Sequence, residues 1–338
     1  MPKAPGGSCA GSTGSFPDNG RPDMHPAYSV IFFTTASGAG YGLILLAALF
    51  GVLNGVPLDP WFGAITLGLG TILITGGLLS STAHLGHPER AWRAYTQWKS
   101  SWLSREGILA TATYVPLVLT AWGWLVEGSL EGPFGVFACI LILFCLLTVH
   151  STGMIYATLR TIRAWHDRMT VPGYLCFALL NGALWFHAIS QMFGYQTPEI
   201  ALAAIIGLFL TFYIKRKYWR SIDTIPGPAT PESATGLGDI GRVRLLEPPT
   251  MTENFVQREM GYSIARKHAQ KLRRICFFTY FLIPIILTGL TSSSDAWIAV
   301  PGTLLAALSA SVGVAIERWL FFAEAKHVSM LYYGAERS

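Results

Sequence analysis

The sequence predicts an all-α integral membrane protein with eight transmembrane helices and both termini in the cytoplasm. Three observations carry this: the scarcity of charge, the recurrence of apolar runs, and the placement of the basic residues. Of 338 residues, 51% are hydrophobic and only 13% are Asp, Glu, Lys or Arg. A soluble domain carries about 25% charge, and half of that cannot cover a soluble surface. A soluble enzyme, a disordered chain and a nucleic-acid binder are excluded together. The five cysteines form no C-x-x-C pair, so neither a disulfide scaffold nor a zinc or iron–sulfur site is supported.

About 20 apolar residues cross a bilayer as a helix, and lipid offers the backbone no partner, so helix is the expected form. The apolar runs place spans at 29–53, 61–84, 107–126, 134–157, 174–193, 198–214, 275–291 and 296–317. A large soluble core explains one or two such runs but not eight. The sixth is short and spans by tilting or by extending across Glu199. Gly38, Gly40 and Gly42 in the first span read as helix-packing positions.

The basic residues set the sidedness. Lys3 and Arg21 lie in the N-terminal tail, Arg90, Arg93, Lys99 and Arg105 between spans 2 and 3, and Arg160, Arg163 and Arg168 between spans 4 and 5. Twelve more lie between spans 6 and 7, and Arg318, Lys326 and Arg337 follow span 8. The other four loops hold none, yet carry Asp59, Glu127, Glu131, Glu199 and Asp295. Lys and Arg beside spans stay cytoplasmic, and a wrong span count would break this alternation. The chain therefore divides into a flexible tail (1–28) without the apolar region of a signal peptide, spans 1–6 (29–214), a cytoplasmic loop (215–274), spans 7 and 8 (275–318) and a second tail (319–338). The loop starts Pro- and Gly-rich and ends as a basic helix from Asn254 to Arg274. A loop of that length usually has a task. It either lies on anionic headgroups or docks a soluble partner, with Arg258, Glu259, Arg266 and Lys267 as contact residues.

Ionisable groups at membrane depth are costly and default to functional candidates. His84 ends span 2, Glu106 adjoins the start of span 3, and His150 lies in the inner half of span 4. Each also has an ordinary reading: an interfacial His at a helix end, a carboxylate favoured by the helix dipole after a Ser104 cap, and a neutral His bonded to a carbonyl. His187, in the outer half of span 5, reads as structural. The first three converge on one leaflet together with Trp92, Tyr95, Trp98, Trp102 and Tyr156. A haem would need two facing His rings. His150 and His187 lie at different depths, and His84 with His150 stays open.

The segment His84-Leu-Gly-His-Pro-Glu-Arg-Ala-Trp-Arg-Ala, with Ser100-Ser-Trp-Leu-Ser-Arg-Glu-Gly107 downstream, resembles the membrane anchor subunit of dimethyl sulfoxide reductase-type complexes. The opening from Met24 and the eight spans extend the likeness over nearly the whole chain. The resemblance implies a quinone as cofactor, no haem and no metal. It also implies two partners, an iron–sulfur electron-transfer subunit and a molybdopterin catalytic subunit. It places the quinone-linked His on His84 and the acidic partner on Glu106. Proton exchange with a quinone needs titratable groups, and a His and a partly buried Glu suit that chemistry. Arg105 is then expected to orient the carboxylate, and Trp102, His150 and Tyr156 to wall the ring. The loop segments Ser233-Ala-Thr-Gly-Leu-Gly, Leu246-Glu-Pro-Pro and Arg258-Glu-Met-Gly-Tyr look like the branch found with cytoplasmic sulfite-oxidising complexes in a bacterial inner membrane. Rival readings are an anchor that oxidises quinol for a reductase, a b-type cytochrome, and a proton-coupled transporter. The last should show related halves or broken helices around a midplane site, which the sequence does not show clearly.

Overall fold

The charge-poor runs fold into helices, as their length and composition require. The computed structural model describes residues 28–82, 87–195, 198–225, 227, 229–247, 249, 268–291 and 294–335. Among the described residues, eight helices are long and apolar enough to cross a membrane: α1 (Tyr28–Val52), α2 (Pro60–Thr82), α3 (Trp102–Glu127), α4 (Pro133–Ala157), α5 (Thr170–Met192), α6 (Pro198–Thr224), α7 (Ala269–Thr291) and α8 (Ala296–Ala323). Short 3-10 segments cover Pro88–Gln97 and Val328–Tyr333, and a single helical turn covers Pro231–Thr235. Among the described residues, the one extended pairing is an isolated bridge between Ile162 and His327.

Two of the helices deviate where proline dictates. Pro116 cannot donate to the carbonyl of Ala112, and α3 is interrupted at Thr113. Pro284 leaves the Tyr280 carbonyl without its usual donor, and the preceding turn of α7, Phe278–Leu282, widens to π-helical spacing. The cap of α3 differs from the sequence expectation. Ser101 is the N-cap, its hydroxyl accepting from the Ser104 N–H at 3.4 Å. Ser104 sits inside the first turn and donates its hydroxyl to the Ala94 carbonyl. α3 therefore starts at Trp102, and Glu106 lies in its second turn.

α1 and α5 form the centre of the bundle, with 72% of their most apolar stretch buried against at most 44% for any other span. α1 packs on α2, α4, α5 and α8, while α5 packs on α1, α4, α6 and α8. Glycine makes the central contact possible. A methyl group on Gly42 would collide with the Ala178 carbonyl, and one on Gly182 would collide with the backbone of Gly42 and Leu43. Gly40 faces Gly70 and Ile74 of α2 in the same manner. Small residues let backbones touch, and dispersion then replaces the hydrophobic drive that lipid cannot supply.

The two ends of the bundle are closed differently. At the acidic-loop end, Asp59 caps α2 through the Phe62 N–H at 2.8 Å, and its carbonyl accepts the buried Trp124 indole at 3.1 Å. At the basic-loop end, the segment between α4 and α5 meets α6, α8 and the C-terminal stretch. Trp165 donates to the Phe321 carbonyl at 2.9 Å, Tyr218 to the Ala164 carbonyl at 3.1 Å, and the Val328 N–H to Thr161 at 3.0 Å.

Candidate functional site

Glu106 is the centre of the site. The Ser101 cap starts α3 early enough to carry the carboxylate into the bundle at its basic-loop end, where it is only 4% exposed. Its hydrogen-bond donor there is the Thr152 hydroxyl of α4. That hydroxyl also reaches the Thr148 carbonyl of its own helix at 3.1 Å, which fixes its position.

Arg105, the neighbour expected to orient this carboxylate, turns the other way. Its guanidinium donates to the Trp98 carbonyl at 2.9 Å and the Lys99 carbonyl at 2.7 Å, and it stacks over Trp102 at 4.3 Å. Arg105 thus pins the segment preceding α3, and Thr152 does the orienting. Trp102, one turn before Glu106, meets His150 edge to face at 5.8 Å between ring centres. Tyr156 lies apart from that pair, in an aromatic cluster where it stacks on Tyr174 at 5.7 Å and meets Trp165, Phe321 and Phe322 edge-on. His187 is buried deep in α5, with no hydrogen-bond partner on either ring nitrogen among the described residues. His84, Arg258, Glu259, Arg266 and Lys267 lie outside the described residues. His87, in the same segment as His84, is exposed, with Nδ1 2.9 Å from Glu89.

A narrow cleft opens on the far side of Thr152. Thr34, Thr35, Ser37, Tyr41, Tyr174 and Arg318 contribute its polar lining, and it has room for about one water molecule. Thr35 Oγ1, Tyr41 OH and Tyr174 OH are buried there without a hydrogen-bond partner among the described residues. Buried polar atoms are normally satisfied, so a polar slot of this size suits a water and is too small for an aromatic head group.

Beyond the cleft lies a charge cluster that the sequence did not lead us to expect. Lys215 of α6 and Glu317 and Arg318 of α8 are 4%, 2% and 3% exposed. Lys215 Nζ is 2.5 Å from Glu317 Oε1, and Arg318 Nε is 3.1 Å from Glu317 Oε2. Arg318 also covers the Tyr174 ring at 3.7 Å, and Lys215 the Tyr218 ring at 4.0 Å. Two cations share one carboxylate, so the cluster carries one excess positive charge, one water-sized cleft away from the Glu106–Thr152 pair. The signal in the sequence was the apolar run Trp319-Leu-Phe-Phe-Ala that continues past Glu317 and Arg318.

Two similarities to known proteins bear on this site. The family model described as DMSO reductase anchor subunit (DmsC) matches residues 23–232. That match covers α1 to α6, and so includes Glu106, Thr152 and Lys215. A sulfite dehydrogenase subunit from Allochromatium vinosum is 31% identical over 341 residues, spanning 92% of this chain and 99% of that protein.

Proposed function

The chain belongs to the DMSO reductase anchor subunit family, and from that premise we propose that it is the quinone-reactive membrane anchor of a molybdenum oxidoreductase. The observation that carries this reading is a carboxylate, Glu106, buried at one end of the bundle and, among the described residues, held by a single hydroxyl donor. A carboxylate at that depth with no cationic partner among the described residues is expensive unless it has work to do.

In the complex, a molybdopterin subunit supplies electrons, and an iron–sulfur subunit passes them to this chain's site. Both sit on the cytoplasmic face of a bacterial inner membrane, the side to which the basic loops and both termini point. The connection between α6 and α7 (225–268), shorter at both ends than the 215–274 expected because the two helices extend into it, is their dock, with Arg258, Glu259, Arg266 and Lys267 as contact residues. The likeness to a sulfite dehydrogenase subunit supports sulfite, oxidised to sulfate, as the electron source. The likeness to DMSO reductase anchors supports a second reading, an anchor that oxidises quinol for a reductase. A catalytic partner carrying an export signal would favour the second reading over the first.

A bound quinone supplies a two-electron, two-proton acceptor. His84 holds one carbonyl oxygen by a hydrogen bond and exchanges a proton at its imidazole nitrogen, near whose ordinary pKa such exchange is efficient. Glu106 accepts and releases protons at its carboxylate, and the Thr152 hydroxyl keeps that carboxylate in one rotamer. Trp102 and His150 form an aromatic edge one turn away, suited to line a ring. The cleft behind Thr152 is of a size to take a water beside the Glu106–Thr152 pair, and too small for a ring to enter.

The test uses the assembled complex. Replacing His84 with Ala, or Glu106 with Gln, should abolish quinone-coupled turnover while an artificial dye still takes electrons from the catalytic subunits. Unchanged quinone activity in both variants would refute the assignment.

A further inference from the structure

At the basic-loop end, α6 and α7 leave a groove of about 850 Å³ between them. Its lining follows helical spacing on both sides. Tyr213, Arg216, Lys217 and Arg220 recur at intervals of three and four on α6, and Gln270, Arg273, Arg274 and Phe277 do so on α7. Each set is therefore a single stripe, and the two stripes face one another.

The charge in this groove is unbalanced. Five cations line it against one carboxylate, Asp223. That carboxylate is already taken by Arg273, whose guanidinium donates to both its oxygens at 2.6 and 3.0 Å and to Glu324 at 2.8 Å. Among the described residues, Arg216, Lys217, Arg220 and Arg274 have no carboxylate partner, and all four are exposed.

Toward the membrane, the groove continues as a seam of aromatic rings. Phe212 stacks on Phe281 at 4.8 Å and meets Phe277 at 5.4 Å, and Phe209 meets Phe281 at 5.5 Å while remaining 53% exposed. Phe209 lies two helical turns from Arg216, roughly 10 Å along the axis at 1.5 Å per residue. Cations thus sit at headgroup level above an open apolar track at hydrocarbon depth.

We propose that this groove is a binding site for one anionic diacyl phospholipid. Its phosphate is held by Arg216, Arg220 and Arg274, and an acyl chain lies along Phe209, Phe212 and Phe277. A basic pocket between the ends of two spans has the chemistry for such a headgroup, and Arg is the side chain suited to forked phosphate binding. An acidic soluble partner would satisfy the cations, but it would not reach an apolar seam two turns into the membrane.

The test uses the full-length protein in mixed micelles, with phosphatidylglycerol and phosphatidylcholine as probes and native mass spectrometry as the readout. The wild type should retain one phosphatidylglycerol and prefer it over phosphatidylcholine. Removing a headgroup-level cation weakens attraction by about fivefold. R220Q alone should therefore bind about fivefold more weakly, and the triple variant R216Q/R220Q/R274Q on the order of a hundredfold. The triple variant R160Q/R168Q/K326Q loses equal charge elsewhere at the same end and should bind like the wild type. Equal retention of the two lipids, or equal losses in both triple variants, would overturn the proposal. So would a groove variant that keeps its lipid but releases the partner subunits from membranes.

Discussion

Thr152 of α4 donates its hydroxyl to the buried carboxylate of Glu106 on α3, and Arg105, the adjacent cation, takes no part in that contact. A hydroxyl, unlike a guanidinium, orients a carboxylate without neutralising it. The group remains able to carry a proton in either direction, as an acid–base relay requires.

The first prediction follows from this pair. Thr152→Val keeps the shape of the side chain and removes the donor. A hydrogen bond to a charged group contributes about 1.5–3 kcal/mol, so quinone-coupled turnover should fall about 10- to 100-fold while dye-coupled turnover is unchanged. Thr152→Ser should restore most of the loss. Steady-state kinetics on the assembled complex decides it, and a valine variant with normal quinone turnover would count against the relay.

The buried charge cluster makes the second. Glu317→Leu leaves Lys215 and Arg318 buried without their shared counter-ion, and breaking such a group costs about 3–5 kcal/mol. The variant should show a clearly lower melting temperature in detergent. The triple variant K215M/E317L/R318M removes all three charges and should recover much of the loss, because apolar replacements of a whole buried ion group are often well tolerated. If the single and triple variants melt alike, the cluster's electrostatics are not what holds α6 to α8.

A third prediction concerns the central helices. Gly182→Val drives a branched side chain into the backbone of Gly42 and Leu43 and should prevent stable assembly. Gly173→Ala lies on the same helix, where an added methyl meets nothing within 4 Å, and should be tolerated. Yield of monodisperse protein after extraction separates the two.

The fourth addresses sidedness. In a background lacking the native cysteines, Glu131→Cys should react with a membrane-impermeant maleimide in intact spheroplasts. Lys326→Cys should react only after the membrane is opened. The reverse labelling pattern would invert the bundle and move the Glu106 end to the outer face.

The eight helices were legible because hydropathy reports what a membrane selects, and a run of some 20 apolar residues has few other uses. Three of the boundary errors share one physical cause. Span 3 was expected from 107 and starts at Trp102, span 6 was expected to end at 214 and continues to Thr224, and span 8 was expected to end at 317 and continues to Ala323. Each expected limit fell beside a charged residue: Glu106, Lys215, or the Glu317–Arg318 pair. Hydropathy scores a residue in isolation, whereas the structure buries these charges against partners distant in sequence. Glu106 stood out because it sits in a recognisable segment. Thr152, one of many hydroxyls in the spans, became visible only when α3 and α4 were brought together.

The contact between Gly42 and Gly182 also bears on how the chain is made. Roughly 140 residues separate the two glycines, and ribosomes add about 5–20 residues per second. The glycine face of α1 therefore waits on the order of ten seconds in the membrane before α5 emerges to cover it. During that interval α2 can occupy the Gly40 side, but the Gly42 side is open to any helix with a small-residue face. The step most vulnerable to a wrong neighbour comes midway through synthesis, and slowing translation between α2 and α5 should lower the yield of correctly built protein.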